Sequence, residues 1–100
     1  MNKLMAFNLN GDLSDTIDKA RVFVLVDVDV EPVEVKSTGI YMLELYSDDF
    51  NIGDYVVGTS DNKNKSIIAV ATPTKDTYNH DEIVGRIIGR QSEKIAKVLI

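Results

Sequence analysis

The alternation of apolar and polar positions is clearest at residues 21–30, "RVFVLVDVDV". Because the side chains of a β-strand point alternately to its two faces, this stretch predicts a strand. One face would consist of valines packed on the core, namely Val22, Val24, Val26, Val28 and Val30. On the opposite face two apolar residues give way to three carboxylates, Asp27, Asp29 and Glu31, which predicts a solvated end. Pro32 lacks a backbone N–H and is expected to end the strand.

Further stretches rich in β-branched and aromatic residues follow, separated by breaks of Gly, Asp and Asn. They are residues 33–36, 40–46, 55–58, 66–72, 82–89 and 95–100. A series of short strands with little helical periodicity predicts an all-β fold, either a small β-barrel or a β-sandwich. Because no repeat or linker divides the series, residues 21–100 are predicted to form a single β-domain.

The first twenty residues carry a different pattern. Residues 1–12, "MNKLMAFNLNGD", are apolar enough to pack, either as a first strand or as an arm that reaches a neighbouring molecule. Residues 13–20, "LSDTIDKA", predict a short helix, because Ser14 could cap it and Leu13, Ile17 and Ala20 would share one face. Residues 1–20 are therefore expected to be an N-terminal arm or first strand plus a short helix.

Charge and composition narrow the class of partner. The chain of 100 residues has a net charge of −5 and contains no cysteine. Residues 1–50 carry four basic and ten acidic side chains, whereas residues 51–100 carry seven basic and six acidic ones. Proteins that bind nucleic acid through its phosphates usually present clustered Lys and Arg, so nucleic acid is not the expected partner. The longest apolar runs have five residues, too few for a membrane span or a signal peptide.

Two sets of residues could carry chemistry. Asp27, Asp29 and Glu31 could offer oxygens to a hard cation, but residues two apart on a strand stand roughly 6–7 Å apart. Calcium needs its oxygens within about 2.6 Å of the ion, usually from a curled loop, so a solvated acidic face is the expectation. His80 is the only histidine and is expected to be a solvated loop residue, since no hydrolase motif accompanies it. We therefore expect no catalytic residues, no metal site and no cofactor.

The ending "VGRIIGRQSEKIAKVLI", residues 84–100, has two incompatible interpretations. It resembles the core of a K-homology RNA-binding module, in which a Gly-x-x-Gly loop joins two helices. Ser92 replaces the second glycine of that loop, and "EIVGRIIG" is a poor helix with its two glycines and four β-branched residues. The alternative is two strands joined by the polar turn "RQSEK", with Gly85 and Gly89 at places where the sheet bends or another backbone comes close.

A longer pattern includes this ending. The stretch "GDYVVGTSDNKNKSIIAVATP", followed by "IVGRIIGR" and "IAKVLI", resembles the β-domains of capsid decoration and virion surface proteins of tailed bacteriophages. The resemblance covers about residues 50–100. It rests on Gly53, Asp54, Val56, Val57, residues 67–71, Val84, Gly85, Ile88, Gly89 and residues 98–100. It implies a β-barrel or β-tulip-like fold that binds a capsid or tail lattice, often as an oligomer, without catalysis.

The resulting expectation is a non-enzymatic auxiliary or decoration protein of a phage particle. Its partners would be the major capsid protein or other virion proteins, it would be a homo-oligomer or lattice-bound, and it would be located in the virion after synthesis in the host cytoplasm. The predicted partner-binding residues are Leu4, Met5, Phe7 and Leu9, with Asp27, Asp29 and Glu31 as electrostatic complement. Equally, the four apolar residues could complete the domain's own sheet. A K-homology module and a small enzymatic or metal-binding barrel are the alternatives.

Overall fold

The computed structural model describes residues 1–8, 10–16, 20–61, 63, 66–74, 76, 78 and 82–100. Within these ranges the secondary structure consists of strands, so the predicted all-β fold class is confirmed. The strands are β1 (Asn2–Asn8), β2 (Leu13–Ser14), β3 (Ala20–Asp27), β4 (Glu34–Val35), β5 (Ile40–Glu44), β6 (Tyr55–Ser60), β7 (Ile67–Thr72), β8 (Ile83–Arg90) and β9 (Ile95–Leu99). The described chain has no helix long and apolar enough to cross a membrane.

The strands form two antiparallel sheets. Sheet 1 has the order β2-β1-β3-β4, and sheet 2 has the order β5-β9-β8-β6-β7. Sheet 2 curls on itself, because the Tyr46 N–H, just after one edge strand, donates to the Ala69 carbonyl on the other edge strand at 2.8 Å. The two sheets are joined where Ile67 N–H donates to the Asp15 carbonyl at 3.0 Å. The result is a small sandwich with one curled layer.

The hydrophobic core lies between the two sheets. Sheet 1 contributes Leu4 and Ala6 from β1 and Leu25 from β3. Sheet 2 and its connections contribute Leu43, Leu45, Phe50, Val56, Ile67, Ala69, Ile87, Ala96 and Val98. The register explains the sheet 1 contribution, since Leu4 lies opposite Leu25 and therefore points to the same face.

The predicted valine core face of residues 21–30 is wrong for Val22, Val28 and Val30, which are exposed, whereas Val26 is fully buried. Leu25 is only 2% exposed and Phe23 packs against the core, whereas Val22, on the opposite face, is 42% exposed. The strand also ends at Asp27, so Val28 and Val30 lie in the following turn. Residues 22–26 are apolar on both faces, and a period of two cannot tell which face is inward when both are apolar.

The N-terminal residues form a hairpin inside sheet 1. Residues 2–8 form a strand that lies between β2 and β3. These residues therefore belong to the domain's own sheet and do not form an arm. The Asn8 side chain accepts hydrogen bonds from the Asn10 and Asp12 backbone N–H groups, and Gly11 has a φ of +83°, so the chain turns back tightly. The predicted helix over residues 13–20 is wrong at its start, because Leu13–Ser14 is a strand; Ile17 lies outside the described residues.

The ending forms the two predicted strands. β8 and β9 pair antiparallel, and the turn between them closes where Gln91 N–H donates to the Ile95 carbonyl at 2.8 Å. The two helices of the K-homology interpretation are therefore not formed over this segment. A Cβ at Gly85 would lie 2.5 Å from the Leu99 carbonyl oxygen, which confirms a close backbone approach there. Gly89 lies at a shift of the β8–β9 register, where the sheet bends.

Candidate docking surface

Sheet 1 has a second apolar side, which faces away from the core. Because neighbouring residues on a strand point to opposite faces, the residues flanking the core positions Leu4, Ala6 and Leu25 point outward. Cross-strand pairing extends this set onto β2 and β4. The outer face of sheet 1 therefore consists of Lys3, Met5, Phe7, Leu13, Val22, Val24, Val26 and Val35.

The register makes these side chains contiguous. Phe7 lies opposite Leu13 on one side and Val22 on the other, and Met5 lies opposite Val24. The last row runs Lys3, Val26, Val35 across β1, β3 and β4. Side chains directly opposite each other have Cβ atoms about 4.5–5.5 Å apart, so the side chains of each row are neighbours, and the rows of Phe7 and Met5 are apolar throughout. Together the rows form one patch across all four strands.

Much of this patch is accessible to solvent. Val22 is 42% exposed and Val35 is 44% exposed, whereas Met5, Phe7 and Val24 are half-buried. Val26 is fully buried, so the row that it shares with Lys3 and Val35 is closed to solvent at its centre. An antiparallel sheet with one solvated face normally places polar residues on that face. An apolar face in their place is typical of a surface that binds another protein.

The outward face of sheet 2 has a different composition. Ile40, Met42 and Leu99 are exposed there, but they alternate with charged residues along β5, β8 and β9. The charged residues are Glu44, Arg86 and Lys97, and each of them is exposed. Ile40 and Leu99 lie directly opposite each other, so sheet 2 also has exposed apolar residues, but charged side chains interrupt them more often than on sheet 1.

The acidic residues lie at the end of sheet 1 and not on its outer face. Asp27 closes β3, where its carboxylate lies 3.3 Å from the Met1 amine and 3.9 Å from Lys36 Nζ. Asp29 also contacts the Met1 amine, and its backbone N–H donates to Asp27 at 3.0 Å. The predicted strand face with three carboxylates is wrong, because β3 ends before Asp29 and Glu31, and Glu31 is exposed in the connection to β4.

The four apolar residues predicted to contact a partner do not lie on the same surface. Leu4 is 3% exposed and belongs to the core, so its side chain does not reach the surface. Met5 and Phe7 lie together on the outer face of sheet 1. Leu9 and His80 lie outside the described residues. Sequence reasoning missed Val22, Val24, Leu13 and Val35, although apolar residues on both faces of positions 22–26 were a signal for a two-sided strand.

Arg86 and Arg90 are used within the chain. The Arg90 guanidinium donates to the Asp48, Phe50 and Glu93 carbonyls at 3.0, 2.8 and 2.6 Å and lies 3.7 Å from the centre of the Phe50 ring. Arg86 Nε donates to the Gly53 carbonyl at 3.0 Å. Both cations therefore attach the loop of residues 47–54 to β8, and no basic surface patch results from this pair.

A groove of about 510 Å³ opens at one end of the sandwich, between β1 and the curled edges of sheet 2. Its floor is apolar, with Leu4, Leu43 and Leu45, and Lys3 and Lys94 contribute to its lining. Lys3 Nζ lies 3.6 Å from Asp15. In the described part of the chain, no group of three Asp, Glu or His side chains is arranged to hold a metal ion.

Comparisons of the chain with family models, with curated proteins and with solved structures give no match.

Proposed function

We propose that this protein is a non-enzymatic structural protein of a phage particle, an auxiliary or decoration protein that stabilises the shell through protein–protein contacts. The observation that supports the proposal is the outer face of sheet 1, a mainly apolar surface on a sheet whose other side already carries the core. The phage assignment comes from the resemblance of residues 50–100 to virion β-domains.

The work of such a protein is the burial of surface. Apolar area removed from water contributes about 25 cal/mol per Å², so a face of exposed valines with Met5 and Phe7 gains free energy when a neighbouring subunit covers it. The acidic end around Asp27 and Glu31 would lie at the rim of that contact. Rim charges mainly set the orientation and the rate of association, while the buried apolar centre supplies the affinity.

The test is the composition of particles assembled in cells that express the chain. Particles are purified by density gradient, and the chain is quantified by mass spectrometry relative to the major capsid protein. We expect the chain at a fixed ratio to the shell subunit, and we expect the ratio to fall for Val22→Asp but not for Ile40→Asp, a change at a similarly exposed position on the outward face of sheet 2. Particles that lack the wild-type chain would contradict the proposal.

A further inference from the structure

We infer that the groove at the end of the sandwich binds a straight-chain fatty acid of about 8–12 carbons, held as its carboxylate. The groove lies between β1 and the curled edges of sheet 2, and its lining includes none of Met5, Phe7 and Val22 from the outer face of sheet 1. The ligand is therefore a property beyond the proposed role in the shell, and the purified chain alone suffices to test it.

The size of the groove sets the length of the ligand. Its volume is about 510 Å³, within the range of about 300–1,000 Å³ that is usual for small-ligand sites. A methylene group fills about as much space as a water molecule, roughly 30 Å³, so a ten-carbon chain takes roughly 300 Å³. The remaining space accommodates the head group, whereas a lipid with two long chains would exceed it.

The apolar residues of the lining match a hydrocarbon chain. Leu4, Leu43 and Leu45 form the floor and are each 3% exposed. Val28 and Tyr46 also line the groove, and they are 39% and 57% exposed. A hydrocarbon chain beside them would remove apolar surface of both molecules from water. Each methylene that is half to fully buried should tighten binding about two- to fourfold.

The ionisable side chains of the lining are basic in balance. Lys3 and Lys94 stand against a single acid, Glu44, so the lining carries +1 in a chain whose net charge is −5. Lys3 Nζ lies 3.6 Å from the Asp15 carboxylate, and the Met1 amine, also in the lining, contacts two carboxylates. The Glu44 side chain points to the outward face of sheet 2, because the leucines on either side of it point into the core. Lys94 therefore remains for the head group of a ligand.

The position of Lys94 suits a carboxylate bound at the groove. The Leu45 N–H donates to the Lys94 carbonyl at 2.8 Å, which extends the pairing of β5 with β9 by one residue pair. Paired residues point to the same face of a sheet, so the Lys94 side chain starts on the side of the buried Leu45. Lys94 is exposed, and among the described residues its ammonium has no ion-pair partner. The carboxylate of a fatty acid would lie at this ammonium, with its chain over the leucine floor.

Isothermal titration calorimetry of the purified chain with decanoate tests the inference. We expect one bound molecule per chain and a dissociation constant on the order of 0.1–1 mM. Decanoate should bind about four- to fifteenfold more tightly than octanoate, because two more methylenes leave water. Decyltrimethylammonium has the same chain with a cationic head, and it should bind about threefold more weakly or worse in about 0.15 M salt, which screens distant charges.

Two lysines give a matched pair of variants. Lys94→Glu reverses the charge at the groove and should weaken decanoate binding about fivefold or more. Lys97→Glu changes the net charge equally, but Lys97 lies opposite Met42 on the outward face of sheet 2, so binding should be unchanged. Circular dichroism and thermal melting verify that both variants are folded.

Four results would each overturn the inference. They are the absence of a binding signal up to about 10 mM decanoate, equal affinities for octanoate and decanoate, equal affinities for decanoate and decyltrimethylammonium, and equal weakening by the two variants. The presence or absence of the chain in phage particles decides the shell role and leaves the groove ligand to these titrations.

Discussion

Two glycines on one strand give a paired test of the ending of the chain. Gly85 and Gly89 both lie in β8, and neither has a backbone φ in the left-handed region. A Cβ at Gly85 would lie 2.5 Å from the Leu99 carbonyl oxygen and 2.9 Å from Val98 Cγ1, too close for either atom. A Cβ at Gly89 would lie 3.5 Å from Lys97 Cβ, an ordinary van der Waals contact. The same substitution, Gly→Ala, therefore has opposite consequences at the two positions.

The magnitudes follow from packing and chain entropy. Replacing Gly by Ala reduces the freedom of the unfolded chain and stabilises by about 0.4–1 kcal/mol where the space exists, as it does at Gly89. At Gly85 the clash is with backbone, and overpacking of this kind costs about 1–3 kcal/mol or more, which exceeds that gain. We expect Gly89→Ala to be neutral or stabilising and Gly85→Ala to lower the free energy of unfolding by about 2 kcal/mol. The melting temperature would then fall by roughly 8–16 °C.

Urea denaturation followed by far-ultraviolet circular dichroism measures both variants, and tyrosine fluorescence serves as a second probe because the chain has no tryptophan. An unchanged m value would show that the midpoint shift reports stability. In a helix, both substitutions would stabilise by up to about 1 kcal/mol each. Stabilisation at Gly85 equal to that at Gly89 would therefore contradict the pairing of β8 with β9.

Three further outcomes are expected. Arg90→Ala should destabilise by about 2 kcal/mol in urea denaturation, because three carbonyls lose a donor, and Arg90→Lys should recover little of it since lysine lacks the planar fork. Deletion of residues 1–8 should unfold the chain in circular dichroism, because it removes a strand from within sheet 1; an intact fold would restore the arm interpretation. Calcium should leave the melting temperature unchanged, because Asp27 and Asp29 contact the Met1 amine; a rise that Asp27→Ala abolishes would reveal a metal site.

The strands of the second half were predictable from local pattern. Stretches such as "SIIAVAT" and "IAKVLI" are short, β-branched and bounded by turn residues, and the structure places strands on both. The choice against the two-helix ending also followed from residues, because Gly85 and Gly89 in a β-branched run disfavour a helix. Here local preference and tertiary pairing agree.

The alternation of residues along β3 could not show which face of the strand points to the core. Positions 22–26 are apolar on both faces, and the pairing of Leu25 with Leu4 decides which face meets the core. The same ambiguity concealed the docking surface, because Val22 and Val24, which the pattern assigned to the core, lie on the outer face. The surface was also hard to predict because Met5 and Phe7 become neighbours of the valines only when β1 pairs with β3. The pattern within one strand carries no information on that pairing.

The first hairpin and the loop held by arginine show two other limits. Residues 13–20 have a weak helical pattern of about two turns, which tertiary pairing readily overrides. The turn chemistry of Asn8 and Gly11 was the better local signal. Arg90 reaches carbonyls 40 and 42 residues away in sequence, so its role depends on the completed fold.

Cysteine labelling of assembled particles tests whether the outer face of sheet 1 is buried when the protein does its work. The chain has no native cysteine, so Val22→Cys gives a single reporter at an exposed position of that face. The rate of maleimide labelling is compared between purified particles and the free chain at high dilution. We expect labelling in particles to be at least about tenfold slower, because a neighbouring molecule covers the thiol. Equal rates in particles and in the dilute free chain would show that the face stays open to solvent and is not the docking surface.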